Sequence, residues 1–413
     1  MRRRGLIGLL TAVGISGLGT RMSFLALPWF MLSTTGSAVQ TGLVAAAELT
    51  PYVLVQGLGG PLVDRLGAWR LSMATDLGAA IALAAVPVLH ADGRLNLMLL
   101  AILVAVAGAL RGAGDASRDV LLPGVGELAD APLERSAGLF DGVSRGASLV
   151  GAPLAGALIV ISSPLVVLAI DAITFALSAL AVVLLVPKGA QPEPSAEPEV
   201  KYLASLGTGL QYLLKDRLLL GIGTMVLVTN LLDQAGSSVL LPVWSRQIAD
   251  SPIALGVLGA VFSAGALIGN FFIAWRGPRL PRRLTYGWGF LIGGGPRLLA
   301  LALASSVTPM VPIFLLCGLG VGGINPILGA VEYERIPRQL QARVLGALGA
   351  TAWAGVPAGS LAGGLASDTL GVRGALLLTG GLYLLTTLAP FVFPCWREMD
   401  VRKISDTLAS DTG

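Results

Sequence analysis

Charge is scarce in this 413-residue chain. Asp, Glu, Lys and Arg make up 13% of it, against 54% hydrophobic residues, where a soluble domain carries about 25% charge. So few charged groups cannot clothe a water-soluble protein of this length. Histidine is reduced to His90 and cysteine to Cys317 and Cys395, which lie within or at the end of apolar runs. That excludes a disulfide framework, a zinc site and a His-based catalytic triad. No Gly-x-x-x-x-Gly-Lys-[Ser/Thr] stretch occurs, so nucleotide hydrolysis by that loop is excluded too. The net charge of +4 does not point to nucleic acid, because the basic residues fall in short loops and form no basic face.

What fills the chain is a succession of apolar runs, each near the roughly 20 residues that a helix needs to cross a bilayer. They predict an all-α polytopic membrane protein with twelve spans: 6–32, 38–58, 71–89, 95–111, 138–161, 164–187, 218–244, 253–275, 285–305, 309–330, 343–366 and 372–394. The start, "MRRRGLIGLL", has the look of a signal peptide. Its apolar run continues to Leu32 without a small-residue cleavage site, so it is expected to be a retained first span. With the N-terminus inside, most of the 28 Lys and Arg fall in cytoplasmic segments, Arg111 and Arg118 among them. By the positive-inside rule this puts both termini in the cytoplasm of a multi-pass cell (inner) membrane protein.

Between spans six and seven lies "KGAQPEPSAEPEV". Pro and Glu dominate it, so it cannot bury a core and reads as a linker. The amphipathic "YLASLGTGLQYLLKD" after it predicts a helix lying on the membrane surface. The expected organisation is a six-helix bundle over 1–187, a cytoplasmic linker with surface helix over 188–217, a second bundle over 218–394 and a cytoplasmic tail over 395–413. The halves echo each other. Span one ends "FLALPWF" and span seven "SVLLPVW", which sets Pro28 against Pro242. "GAPLAG" in span five answers "GVPAGS" in span eleven. Two pseudo-symmetric bundles are a sign of a transporter that works by rocking one half against the other.

Spans two and three are joined by "GGPLVDRLGAWR". Gly60 and Gly67 allow close approach and a sharp turn, Asp64 can cap a helix, and Arg65 and Arg70 sit at the interface. The pattern resembles the signature loop of the major facilitator superfamily, although an ordinary charged turn would obey the same charge bias. "GAPLAG", with Gly151, Pro153 and Gly156, resembles the fifth-span motif of drug:proton antiporters in that superfamily, with Ala152 standing where the motif has Gly. A proline-kinked helix with small-residue packing reads the same stretch. "ALPWFML", "SRDVLLPGV", "IDAITFALSAL" and "RVLGALGATAWAGVPAGSLAGGL" extend the resemblance to the bacterial efflux family of macrolide exporters and tetracycline and aminoglycoside pumps.

That resemblance implies proton-coupled export by alternating access, with protons, a small molecule and the bilayer as partners. It implies no enzyme activity, no cofactor and no metal, and the chain is expected to act as a monomer. Export of a siderophore or an endogenous natural product, import of a nutrient, and a non-transporting receptor or scaffold are the alternatives.

The working parts are sought among buried charges. A charge at mid-membrane costs about 2.5–3.5 kcal/mol on insertion scales and usually faces a cavity or a partner. Arg21, Glu48, Asp233 and Arg297 stand out, Asp233 flanked by Asn230 and Gln234. Low dielectric penalises the charged form of a carboxyl group, so Glu48 and Asp233 are the candidate proton carriers. A static hydrogen-bonded or ion-paired role is the competing reading of each. Arg21 and Asp233 lie at similar distances before Pro28 and Pro242. The resemblance places their helices on opposite sides of a central cavity, where they are expected to reach each other or a shared ligand. Arg297, after "GGGP", is expected to pair across the bundle with an unassigned carboxylate. Phe24 and Trp353 are candidate cavity aromatics. Asp76, Asp141 and Arg145, with Asp64, Arg65 and Arg111, are expected to form an inner gate.

Overall fold

The computed structural model describes residues 3–58, 60–190, 200–276, 279–337 and 340–400. They are overwhelmingly helical. The helices are α1 Arg4–Thr35, α2 Ala38–Leu58, α3 Gly60–Leu66, α4 Ala68–Ala91, α5 Leu97–Leu128, α6 Leu133–Ile161, α7 Pro164–Leu185, α8 Val200–Lys215 and α9 Arg217–Ala235. They continue with α10 Leu241–Trp244, α11 Pro252–Arg276, α12 Arg282–Gly293, α13 Gly295–Leu303, α14 Met310–Gly322, α15 Ile324–Arg335, α16 Gln341–Ala354, α17 Val356–Thr387 and α18 Ala389–Val392.

Among the described residues, ten segments are long and apolar enough to cross a membrane. One of them, 343–392, is two spans divided at Gly371, whose φ of 69° and ψ of 162° turn the chain back. A further span is made by α12 and α13, each too short alone, which meet at Gly294 before Pro296. The total is twelve, the expected number. The breaks follow composition: Pro296 and Pro357 each sit in the first turn of a new helix, where the missing N–H costs nothing.

One boundary is corrected. The fourth span does not end at 111 but runs in a single helix to Leu128, about 48 Å at 1.5 Å per residue. Arg111 and Arg118 are therefore buried helix residues, 7% and 4% exposed, and leave the cytoplasmic charge tally. Their charges are met by carboxylates on α2 and α4, which a hydropathy reading along one strand of sequence cannot detect.

In the first half, α1 packs on α6 and α7, α2 on α5, and α4 on α5 and α7. In the second, α11 packs on α14, α17 on α9 and α13, and α12 on α14. Helix α8 lies against the start of α16, with the backbone at Gly209 pressed on the Arg343 carbonyl. Residues 191–199 of the expected linker and 401–413 of the tail lie outside the described residues. The first part of the tail is not free: Trp396 and Met399 are buried beside Tyr286 under the second half, because both are too apolar to leave in water.

Among the described residues the main contacts between the halves lie at one end. There α2 meets α17 and α6 meets α11. Gly42 and Gly364 let the α2 and α17 backbones meet, and Gly156 and Gly256 do the same for α6 and α11. The Ala38 N–H donates to Asp368 Oδ1 at 3.3 Å. Toward the other end the halves diverge around a cavity of about 640 Å³.

Candidate functional site

On α5 two glycines flank an arginine: Gly108, Arg111, Gly112. A Cβ at Gly108 would strike the Glu48 carbonyl oxygen, and one at Gly112 would strike that of Tyr52. The glycines therefore draw α2 onto α5 and bring Glu48 to Arg111. The two side chains form an ion pair, each 6% exposed. The Arg111 guanidinium also lies 4.9 Å from the Phe24 ring centroid and 5.6 Å from that of Tyr52. These cation–π contacts share the guanidinium's charge with α1 and α2. One turn along α5, Asp115 accepts from the Tyr52 hydroxyl at 3.2 Å and from Arg118 at 3.1 Å. Arg118 reaches back to Asp76 on α4, whose other oxygen accepts from Ser178 at 2.7 Å. Asp171 on α7 is fully buried and accepts from Ser23 and from Thr174.

The second half holds a counterpart. Pro242 has no N–H to donate to the carbonyl of Ser238, and the seventh span widens into π-helical turns at Gly236–Leu240 and Ser245–Ala249 on either side of it. One turn before the first widening, Asp233 ion-pairs with Arg297 of α13 and accepts from the Tyr383 hydroxyl at 3.2 Å. Tyr383 reaches that position because Gly294 is a glycine. Any Cβ there would occupy the Tyr383 ring. The guanidinium of Arg297 also lies 4.8 Å from the Phe262 ring centroid. Each half thus carries one arginine that holds a carboxylate and an aromatic ring together. At the end away from the contacts between halves, Arg282 makes two bonds to Glu334, at 2.7 and 2.6 Å.

The cavity between the halves is lined by Arg21, Phe24, Gln234, Arg297 and Trp353, all picked out in the sequence, and by Tyr52, Arg111, Asp115, Arg118 and Asp119. Glu48 lines a smaller recess that opens beside Phe24, Gln234 and Ser238. Gly151 leaves room for the Cβ of Arg21, so the "GAPLAG" stretch seats that arginine against α6. Its Pro153 lies within the continuous α6, and its Gly156 lies against the Pro252 carbonyl at the closed end.

Several expectations are corrected by this geometry. Asp233 does not meet Arg21; its face of α9 turns toward α13 and α17, where Arg297 supplies the partner that the sequence left unnamed. Asn230 does not line the cavity among the described residues. Its amide donates to the Ala352 carbonyl at 2.8 Å and ties α9 to α16. The residues expected to form the inner gate of the outward-open state are seen here with the halves parted at that end: Arg111 goes to Glu48, Asp76 to Arg118, and Arg145 to Asp141, another residue of the expected gate, one turn away at 2.7 Å. Gly67 turns the chain between α3 and α4 with φ of 79°, Gly60 opens α3, and Arg65 and Arg70 are exposed. The side chain of Asp64 lies outside the described residues. Asp171 and Arg118 were missed as site residues. Asp171 had a legible signal, a lone charge in a span that otherwise carries none, whereas Arg118 was hidden by the fourth span's underestimated length.

A membrane-embedded bundle in two halves around a charged central cavity defines a transporter of small molecules. The profile of the Major Facilitator Superfamily matches residues 9–249 and 223–409, and the chain belongs to that superfamily. Its relatives include the multidrug efflux pump Tap of Mycobacterium tuberculosis, 30% identical over 405 residues that cover 96% of this chain and 95% of the pump. Tap of Mycolicibacterium fortuitum is 28% identical over 407 residues, covering 97% and 98%. Among solved structures, a bacterial homologue of the human lysosomal transporter Spinster, in an inward-facing and unoccupied conformation, superposes with a TM-score of 0.76. It is 12% identical, with 97% of this chain and 98% of that one covered. The protein is therefore a multi-pass membrane transporter and not an enzyme.

Proposed function

We propose that the chain exports small amphiphilic compounds from the cytoplasm in exchange for protons. It does so as a monomer in the cell (inner) membrane, by alternating access of the bundles 1–187 and 218–394. The observation that carries this is the matched pair of acid–arginine contacts, the buried Glu48–Arg111 and the part-buried Asp233–Arg297, one in each half beside a cavity closed at one end. A proton taken up by either carboxylate neutralises it and frees its arginine, so proton loading changes the charge presented to the cavity. Each inward proton gains about 2.3 kcal/mol per 100 mV of membrane potential. The positive-inside rule puts the open end and both termini in the cytoplasm, so the cavity is loaded from inside. The names of the Tap relatives support a drug-like passenger.

The test is expression in a pump-deficient bacterial host. The host gains resistance to a panel of amphiphilic antibiotics, and a protonophore cancels the gain. Asp233→Asn and Glu48→Gln reach the membrane in normal amount but confer no resistance. Accumulation in place of extrusion overturns the direction, and normal efflux by Asp233→Asn removes that residue from coupling.

A further inference from the structure

The charges around the cavity do not all find partners. Arg111 is matched by Glu48, Arg118 by Asp76 and Asp115, and Arg297 by Asp233. Arg21 makes no ion pair among the described residues. It lies near the middle of α1, lines the cavity and is exposed to it, while its neighbour Met22 is fully buried. Its guanidinium sits 5.9 Å from the centroid of the Phe24 ring, the same ring that Arg111 approaches to 4.9 Å. Two guanidinium groups therefore share one aromatic ring, and only one of them is ion-paired among the described residues; Asp115, bonded to Arg118, acts on Arg21 only at longer range. One carboxylate is unmatched in its turn: Asp119, one turn along α5 from the shared Asp115, lines the same cavity and makes no ion pair among the described residues.

From this ledger we infer that Arg21 is the anion-binding point of the cavity, and that the preferred passenger is a zwitterionic amphiphile. Its acidic group docks on Arg21 and its cationic group faces Asp119. The inference rests on the exporter reading above and names its substrate class. A planar guanidinium presents a fork of donors that fits a carboxylate or phenolate better than any neutral group. A purely cationic passenger would leave Arg21 unmatched and meet its repulsion. A purely anionic one would leave Asp119 unmatched. A zwitterion satisfies both, and the rings of Phe24, Phe262 and Trp353 supply the apolar contact between them.

The test uses the full-length protein in nanodiscs and two dyes with one scaffold. Rhodamine B carries a carboxylate and a cation, while its ethyl ester carries the cation alone. Binding is read by fluorescence anisotropy against empty nanodiscs. The wild type binds the zwitterion about tenfold more tightly than the ester, the gain expected of one charge-assisted hydrogen-bonded contact. Arg21→Gln removes that preference and leaves ester binding unchanged or stronger. Arg21→Lys keeps part of the preference. Asp119→Asn weakens both dyes alike. An unchanged preference in Arg21→Gln overturns the inference, as does equal loss of both dyes in Arg21→Gln and Arg21→Lys. Equal affinity of the wild type for the two dyes overturns this inference alone. Failure to bind either dye overturns it together with the cavity's role in export.

Discussion

At the scale of single residues, the two arginine–carboxylate pairs are opposed balances of desolvation and attraction. Moving an ion from water into a membrane interior costs several kcal/mol, and the partner's charge repays it only in good geometry. Glu48 and Arg111 meet that condition because both are sealed from water and Phe24 and Tyr52 flank the guanidinium. Removing one partner leaves an uncompensated buried charge. Glu48→Ala or Arg111→Ala is therefore expected to lose about 3–5 kcal/mol, seen as a lower midpoint in thermal denaturation of the purified protein. The double variant recovers part of that loss, since no lone charge remains; simple additivity of the two single effects would show that the pair is not coupled. Glu48→Gln keeps the shape and an acceptor for Arg111 but leaves that charge unneutralised, so it is expected to lose less stability than Glu48→Ala while still losing the proton exchange.

At the scale of helices, glycine spacing decides which faces meet. Gly108 allows α2 and α5 to approach until backbone touches backbone, and the Glu48–Arg111 pair exists only at that separation. Gly108→Ala must push the two helices apart. It is expected to lower thermal stability and to lower transport in the same host assay, even though no charged group is changed. Gly138, on α6, meets nothing within 4 Å, and Gly138→Ala is expected to leave both readouts intact or slightly raise stability, since alanine is the better helix former. Gly294→Ala tests the other half, because it displaces Tyr383 from Asp233. Its expected signature is lost transport with Arg297 still present.

At the scale of the molecule, the halves are joined at one end and parted at the other. That arrangement is one of two that alternating access requires. The closed end brings Ser37 Oγ within 3.5 Å of Asp368 Oδ2. A Ser37→Cys/Asp368→Cys pair, in a background where Cys317 and Cys395 are replaced by serine, is expected to cross-link with mercuric ion or a short bifunctional reagent. The cross-linked protein should hold the closed end shut and stop export, and reductant or chelator should restore it. Export that continues through the cross-link would mean that the halves do not need to part there.

The sequence by itself determined the number of spans, their pairing into two echoing halves and the presence of costly charges at Arg21, Glu48, Asp233 and Arg297. Those conclusions rest on hydropathy, proline positions and charge scarcity, which are local properties of the chain. Only the tertiary structure decided which charges meet. Asp233 faces Arg297 and not Arg21, and Arg111 pairs with Glu48, because helix rotation and glycine contacts set those pairings. Helix rotation depends on packing between segments far apart in the chain, 150 residues in the Tyr383–Asp233 bond and 331 in Ser37–Asp368, and no periodicity within one segment records it. The fourth span's true length was hidden for the same reason, since its charges look soluble until their partners are in place.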